Sequence, residues 1–341
     1  MKSTMHFLEI APDSWKDVKM IGEQLAPYNF RGQSDEKWPL STSEERLFEK
    51  YSEKDAKKTQ LEIRVLSKFK SRAHQYIQSP PSEDDNIEWL SIIQDYGGPT
   101  RLLDFTHSFY VAAFFAMESA SGDACIWSIS EYDLWFRSVL SRKLVTTLFE
   151  SDKHYYYDSL EHYNNIAQTI IRDPKQSVDF VVKILPARLN ERLAVQKGLF
   201  LFNCNIENSF EKSLCRTFNF PFDFLNSDTA IRLNTREFLD LPKPPFNEKL
   251  IPINLAKEQQ KNTVNDQSDR DNTSFIEGHF SIAPIVKIKL SKDIYKEALI
   301  DLDNMNINYA SLFPGLEGFA KSMKHYFLVP DLGLNMSYTV G

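Results

Sequence analysis

The sequence predicts an α+β fold in a single domain, and three observations carry that prediction. Amphipathic helical periodicity dominates the first hundred residues, short apolar or alternating runs bounded by turn residues follow between 100 and 290, and no repeat or clean linker divides the chain. With 341 residues, 42% of them hydrophobic and 13% aromatic, the chain can bury a sizeable core and is too apolar for disorder.

The elements follow in order. Residues 13–25 place Trp15, Val18, Ile21 and Leu25 on one helix face, with Asp13 or Ser14 as N-cap. Tyr28 to Arg31 is a short extended piece ending at Gly32. Residues 59–77 repeat Leu61, Val65, Phe69, Ala73 and Tyr76 at helical spacing, and the 79–86 stretch breaks that helix and caps one carrying Trp89, Leu90, Ile92 and Ile93. Gly97, Gly98 and Pro99 form a turn, Thr100 to Phe105 reads as a buried strand, and Ser108 caps an almost wholly apolar helix running to Glu118. Strands are expected at 124–129, 178–184, 199–203 and 286–290, with helical segments between 131 and 172 and loop between 185 and 198. A helix follows around Ala298, then a Pro/Gly turn at 312–318 and a last helix. The 259–274 stretch has almost no apolar residue and reads as a surface insertion.

Charge and composition exclude several function classes. Lys+Arg 40 against Asp+Glu 47 leaves a net charge of −7, the wrong sign for non-specific nucleic-acid binding. No run approaches the ~20 apolar residues of a membrane span, and the N-terminus lacks the apolar core of a signal peptide, so the expectation is a cytoplasmic protein with no membrane partner. Three cysteines without a CxxC pair and seven histidines without ligand spacing predict neither a disulfide framework nor a metal site.

Four patches carry chemistry. In Phe30-Arg31-Gly32-Gln33 the Arg ends a strand beside a Gly expected to let the backbone turn, so Arg31 is either an anion clamp or paired to an internal carboxylate. Arg101 and Asp104 lie three apart in an apolar strand, costly unless paired with each other or facing a cleft. Thr106 and Ser108 sit at a strand-to-helix junction, where hydroxyls either hold a polar ligand or cap the helix. In the 190–200 stretch, Glu191 is a candidate catalytic carboxylate or a solvated loop residue. The turn at Leu312 to Gly318 reads as architectural.

The order of these motifs closely resembles the FRG domain family: F-R-G-Q, then Q-x-x-G-x-P-T-R-L-L-D-F-T with an A-x-x-F-A helix, then R-x-x-x-Q-x-G-x-F, then L-F-P-G-L-E-G. The resemblance runs from about residue 28 to 326, which implies a helical extension over 1–27, an FRG domain over 28–327 with the insertion at 259–274, and a tail over 328–341. The family commonly has His where Asp95 stands, Trp where Phe105 stands and Gln where Lys197 stands. The element order is in turn similar to the ADP-ribosyltransferase fold, which implies a split β-sheet flanked by helices and NAD as substrate. By that resemblance Arg31 holds the pyrophosphate and Glu191 stabilises the oxocarbenium-like ribose as the catalytic carboxylate. Gln33, Thr106, Ser108, Arg192 and Gln196 then complete the NAD contacts. Such enzymes act on a macromolecular acceptor and include toxins and phage-defence effectors. The alternative is a non-catalytic FRG module that binds a nucleotide, an ADP-ribose-like ligand or a protein partner.

Overall fold

A computed structural model describes residues 7–51, 57–140, 160–188, 190–220, 230–241 and 283–328. These residues form an α+β fold built on one open, mixed, eight-stranded sheet flanked by helices. The strands are β1 Leu8–Ile10, β2 Tyr28–Gln33, β3 Leu102–Thr106, β4 Ala124–Ser130, β5 Val181–Ile184, β6 Gly198–Asn203, β7 Ile231–Leu233 and β8 Ile285–Leu290. Their spatial order is β5-β6-β3-β2-β4-β8-β1-β7. All neighbours are antiparallel except β1, which runs parallel to both β8 and β7.

The first five helices are α1 Trp15–Gln24, α2 Ser43–Tyr51, α3 Lys58–Ala73, α4 Asn86–Asp95 and α5 Phe109–Met117. Next come α6 Glu131–Leu140, α7 Leu160–Arg172, α8 Glu191–Val195, α9 Phe210–Thr217 and α10 Thr235–Leu239. The described residues end with α11 Tyr295–Asn304, α12 Tyr309–Leu312, α13 Leu316–Ser322 and α14 His325–Leu328.

Local sequence explains the main boundaries. Ser14 starts α1 by accepting the Asp17 N–H, and Asp85 starts α4 by accepting that of Glu88. Strand alternation then sorts the core. On one face of β2, β4 and β8, Phe30, Ile126 and Ile288 meet α1, α5 and α11; Leu102, Phe200 and Phe202 meet α3, α4 and α7. On the other face Phe105, Trp127 and Leu201 pack with Phe210 and Leu214 of α9. Every residue of β4 is buried, as expected of a strand covered on both sides.

At Gly32 the expectation of a turn is corrected. Gly32 lies inside β2, and a Cβ there would stand 2.0 Å from the Ala112 carbonyl oxygen and 2.5 Å from the Ala116 nitrogen. The glycine lets the α5 backbone rest on the strand, with Ala112 and Ala116 fully buried at the contact. The second motif is corrected too. Arg101 is buried and makes a two-pronged pair with Glu62 of α3, while the Asp104 side chain is 56% exposed. Arg101 lies just before β3, over the Phe202 ring, where Glu62 takes its guanidinium in place of Asp104. The 191–195 stretch is a short helix rather than loop, because Asn190 accepts the Leu193 N–H and caps it. Strands β1 and β7 and helices α2 and α9 are further elements that periodicity did not suggest. The expected insertion at 259–274 and the tail beyond 328 lie outside the described residues.

Candidate functional site at the β2–β3 split

Along its whole length β2 pairs with β4, and β3 likewise with β6, but β2 and β3 share one register pair, Phe30 with Thr106. Beyond that pair the two strands part. Arg31 occupies the gap: its Nη1 donates to the Asp104 carbonyl at 2.9 Å and lies 3.8 Å from the Asp104 carboxylate. The Arg31 side chain is 19% exposed, and its Nε is buried with no hydrogen-bond partner. Burial pushes the guanidinium below its ordinary value; Asp104 opposes that shift and the nearby positive charge of Arg46 adds to it.

Polar groups surround the gap. Gln94, near the end of α4, donates to the Asp104 carboxylate at 2.7 Å and accepts from the Thr100 hydroxyl at 2.6 Å. Its neighbour Asp95 pairs with Arg192 at 3.6 Å, and burial raises the Asp95 carboxyl, opposed by Arg192. The Arg192 guanidinium also stacks 4.6 Å from the Phe313 ring. Asp95 therefore ties α4 to α8 and to the turn after α12.

The remaining expected site residues divide among several tasks. Thr106 donates to the Gln196 carbonyl at 2.7 Å and accepts from the Ser108 N–H at 2.9 Å, joining two turns. Ser108 accepts the Val111 N–H as the cap of α5. Gln196 donates to the Leu312 carbonyl at 2.9 Å. Buried Gln33 accepts from the Trp127 indole at 2.8 Å and donates to the Pro39 carbonyl at 3.1 Å, so both its polar atoms are engaged inside the protein. Glu191 is exposed on the first turn of α8, with no partner among the described residues.

Register sets the strand face from which each side chain starts. Thr106 lies opposite Phe30, on the α5 face, whereas Arg31 lies opposite Trp127 on the other face. Their backbones are about one strand spacing apart, ~4.8 Å, and the Arg31 guanidinium reaches across the gap to Asp104, two residues from Thr106 on the same strand. The residues gathered around Arg31 are instead Asp104, Gln94 and Arg46. Sequence reasoning missed Gln94 and Arg46, and it gave Asp104 to Arg101, whose partner is Glu62 of α3.

Among the described residues no group of three or more His, Cys, Asp or Glu side chains is arranged to hold a metal ion. Among them, too, no helix is long and apolar enough to cross a membrane. Residues 26–124 match the model of the FRG domain family. No curated protein and no solved structure matches the chain.

Proposed function

We propose that this chain, which carries an FRG domain, binds a nucleotide of the NAD or ADP-ribose class at the β2–β3 split, with Arg31 as the pyrophosphate clamp. One observation carries the reading: a guanidinium wedged between parted strands whose Nε has no partner. A buried unsatisfied donor costs about 1–3 kcal/mol, more when charged. A phosphate oxygen is the acceptor that relieves that cost, since Arg holds it through paired, charge-assisted hydrogen bonds. Asp104 and Gln94 hold the guanidinium in place until the ligand arrives.

The contacts of Gln196 and Arg192 with Leu312 and Phe313 support a functional unit reaching the turn near residue 313, well beyond residue 124. A second reading, NAD cleavage or ADP-ribosyl transfer, is favoured by the exposed, unpartnered Glu191. In it Glu191 would stabilise the positive charge that develops on the ribose as nicotinamide leaves. The internal engagement of Thr106 and Ser108 favours binding over that chemistry.

Calorimetric titration with NAD and with ADP-ribose separates these. The proposal expects saturable binding that weakens at least tenfold in Arg31→Ala and is unchanged in Glu191→Gln. Absence of saturable binding of either ligand at millimolar concentration overturns it. Nicotinamide release that stops in Glu191→Gln selects the catalytic reading.

A further inference from the structure

A second polar pocket lies on the same sheet face as Arg31, one strand further across. Trp127 of β4 is the register partner of Arg31 on one side and of Lys287 on the other. Beyond Trp127 the side chains of β8, the loop after β2 and Glu211 line an open pocket of about 290 Å³. That volume stands just below the range of about 300–1,000 Å³ for small-molecule sites, room for a single ring with one substituent.

Its lining has an unusual composition. Trp38 stands at the pocket with 53% of its surface exposed, beside Pro39, whose ring restricts the backbone there. An open indole face on a restrained loop is a stacking platform for a planar group. Charge is the second feature: three lysines, Lys37, Lys287 and Lys289, face two glutamates, Glu36 and Glu211, leaving one positive charge in excess.

The carboxylates are already committed. Glu36 pairs with Lys289 at 3.1 Å, and Glu211 accepts the Leu40 N–H at 2.9 Å. The Lys287 ammonium spends one donor on the Glu36 carbonyl at 2.7 Å and rests 4.9 Å from the Trp127 ring centre. Its other donors, and the ammonium of Lys37, have no carboxylate partner among the described residues.

We propose that this pocket is a ligand site for a small planar anion, a single aromatic ring carrying one carboxylate or phosphate. The ring stacks on Trp38 and the anionic group takes the free donors of Lys287, with Lys37 at the entrance. The site is independent of the nucleotide reading at Arg31, because its recognition groups come from β8 and from residues 36–39.

Isothermal titration with nicotinate and phenyl phosphate tests it, with nicotinamide and phenol as uncharged counterparts. All four are titrated into the wild-type chain and into Arg31→Ala, so that loss of the Arg31 site does not disturb the result. The expectation is saturable binding of at least one anion, equal in the two backgrounds, and at least tenfold weaker for its uncharged counterpart. The stronger of the two anions identifies carboxylate or phosphate as the group recognised. Trp38→Ala and Lys287→Gln should each weaken binding at least tenfold, with thermal melts establishing that both variants fold. Absence of binding by both anions, equal binding of the uncharged compounds, or unchanged binding in the folded variants overturns the proposal.

Discussion

Glu44, on the first turn of α2, is buried and neither of its carboxylate oxygens has a hydrogen-bond partner. Burial, reinforced by the negative charge of Glu62, raises its pKa to about 8. The folded protein thus holds a proton that the unfolded chain releases near 4.5. This group's contribution is fully present below that pH and falls as pH rises toward 8, by up to about 1.4 kcal/mol per unit. Melts at pH 6 and pH 8.5 should show the wild type losing more stability than Glu44→Gln. Parallel curves would mean that Glu44 is ionised throughout. Arg101 poses the opposite case, a cation compensated by Glu62 inside the core. Arg101→Met leaves the buried Glu62 carboxylate without its partner, and the expected cost is about 3–5 kcal/mol in chemical denaturation. Asp104→Asn should change stability by less than about 1 kcal/mol, since Asp104 is exposed and its ion pair is loose.

At the scale of elements, the contact between α5 and β2 sets the centre of the fold. The helix lies so close because Gly32 has no side chain and because Ala112 and Ala116 are small and fully buried. Ala112→Leu should overpack this contact and cost roughly 1–3 kcal/mol in a thermal melt. Gly32→Ala should be at least as damaging, since the added Cβ meets helix backbone instead of a yielding side-chain tip. The C-terminal turn follows the same logic. Gly315 adopts φ +107°, and a Cβ on Gly318 would stand 1.8 Å from the Phe313 carbonyl oxygen. Both glycines serve the turn that brings Phe313 beneath Arg192. By contrast, Leu316 is 82% exposed, and Leu316→Ser should leave the melting temperature almost unchanged.

For the whole molecule, the matched 26–124 segment contains β2, β3, α5 and the first residue of β4. Its strands are completed from outside it, β3 by β6 and β2 by the rest of β4. The α5 helix is likewise covered by α1 and α11, which belong to the same apolar cluster. A polypeptide of residues 26–124 would therefore expose two strand edges and an all-apolar helix. Expressed alone, it should show no cooperative unfolding by circular dichroism. A cooperative melt would make the segment a domain in its own right. N-terminal truncation before residue 13 tests the same point at the far side of the sheet, where β1 fills the place between β8 and β7. The expected result is a lower melting temperature.

The sequence by itself determined the α+β class and the six longest strands to within a few residues, narrowed the α1 cap to Asp13 or Ser14 and offered Ser108 as the α5 cap. These depend on local periodicity, local turn chemistry and side-chain hydrogen bonds that reach only three residues along the chain. Strands β1 and β7, three residues each, were illegible because they carry too little periodicity and are held by their neighbours. Tertiary structure alone decided the partners of the charged groups. Arg101 found Glu62 on a helix distant in sequence, and Asp95 found Arg192 of α8. It also decided the candidate site: the parting of β2 from β3 is a property of two strands some seventy residues apart. Whether Arg31 and Thr106 share a face follows from register, and a shift of one residue reverses that answer. No local pattern encodes register, because it is fixed by the joint packing of both faces of the sheet.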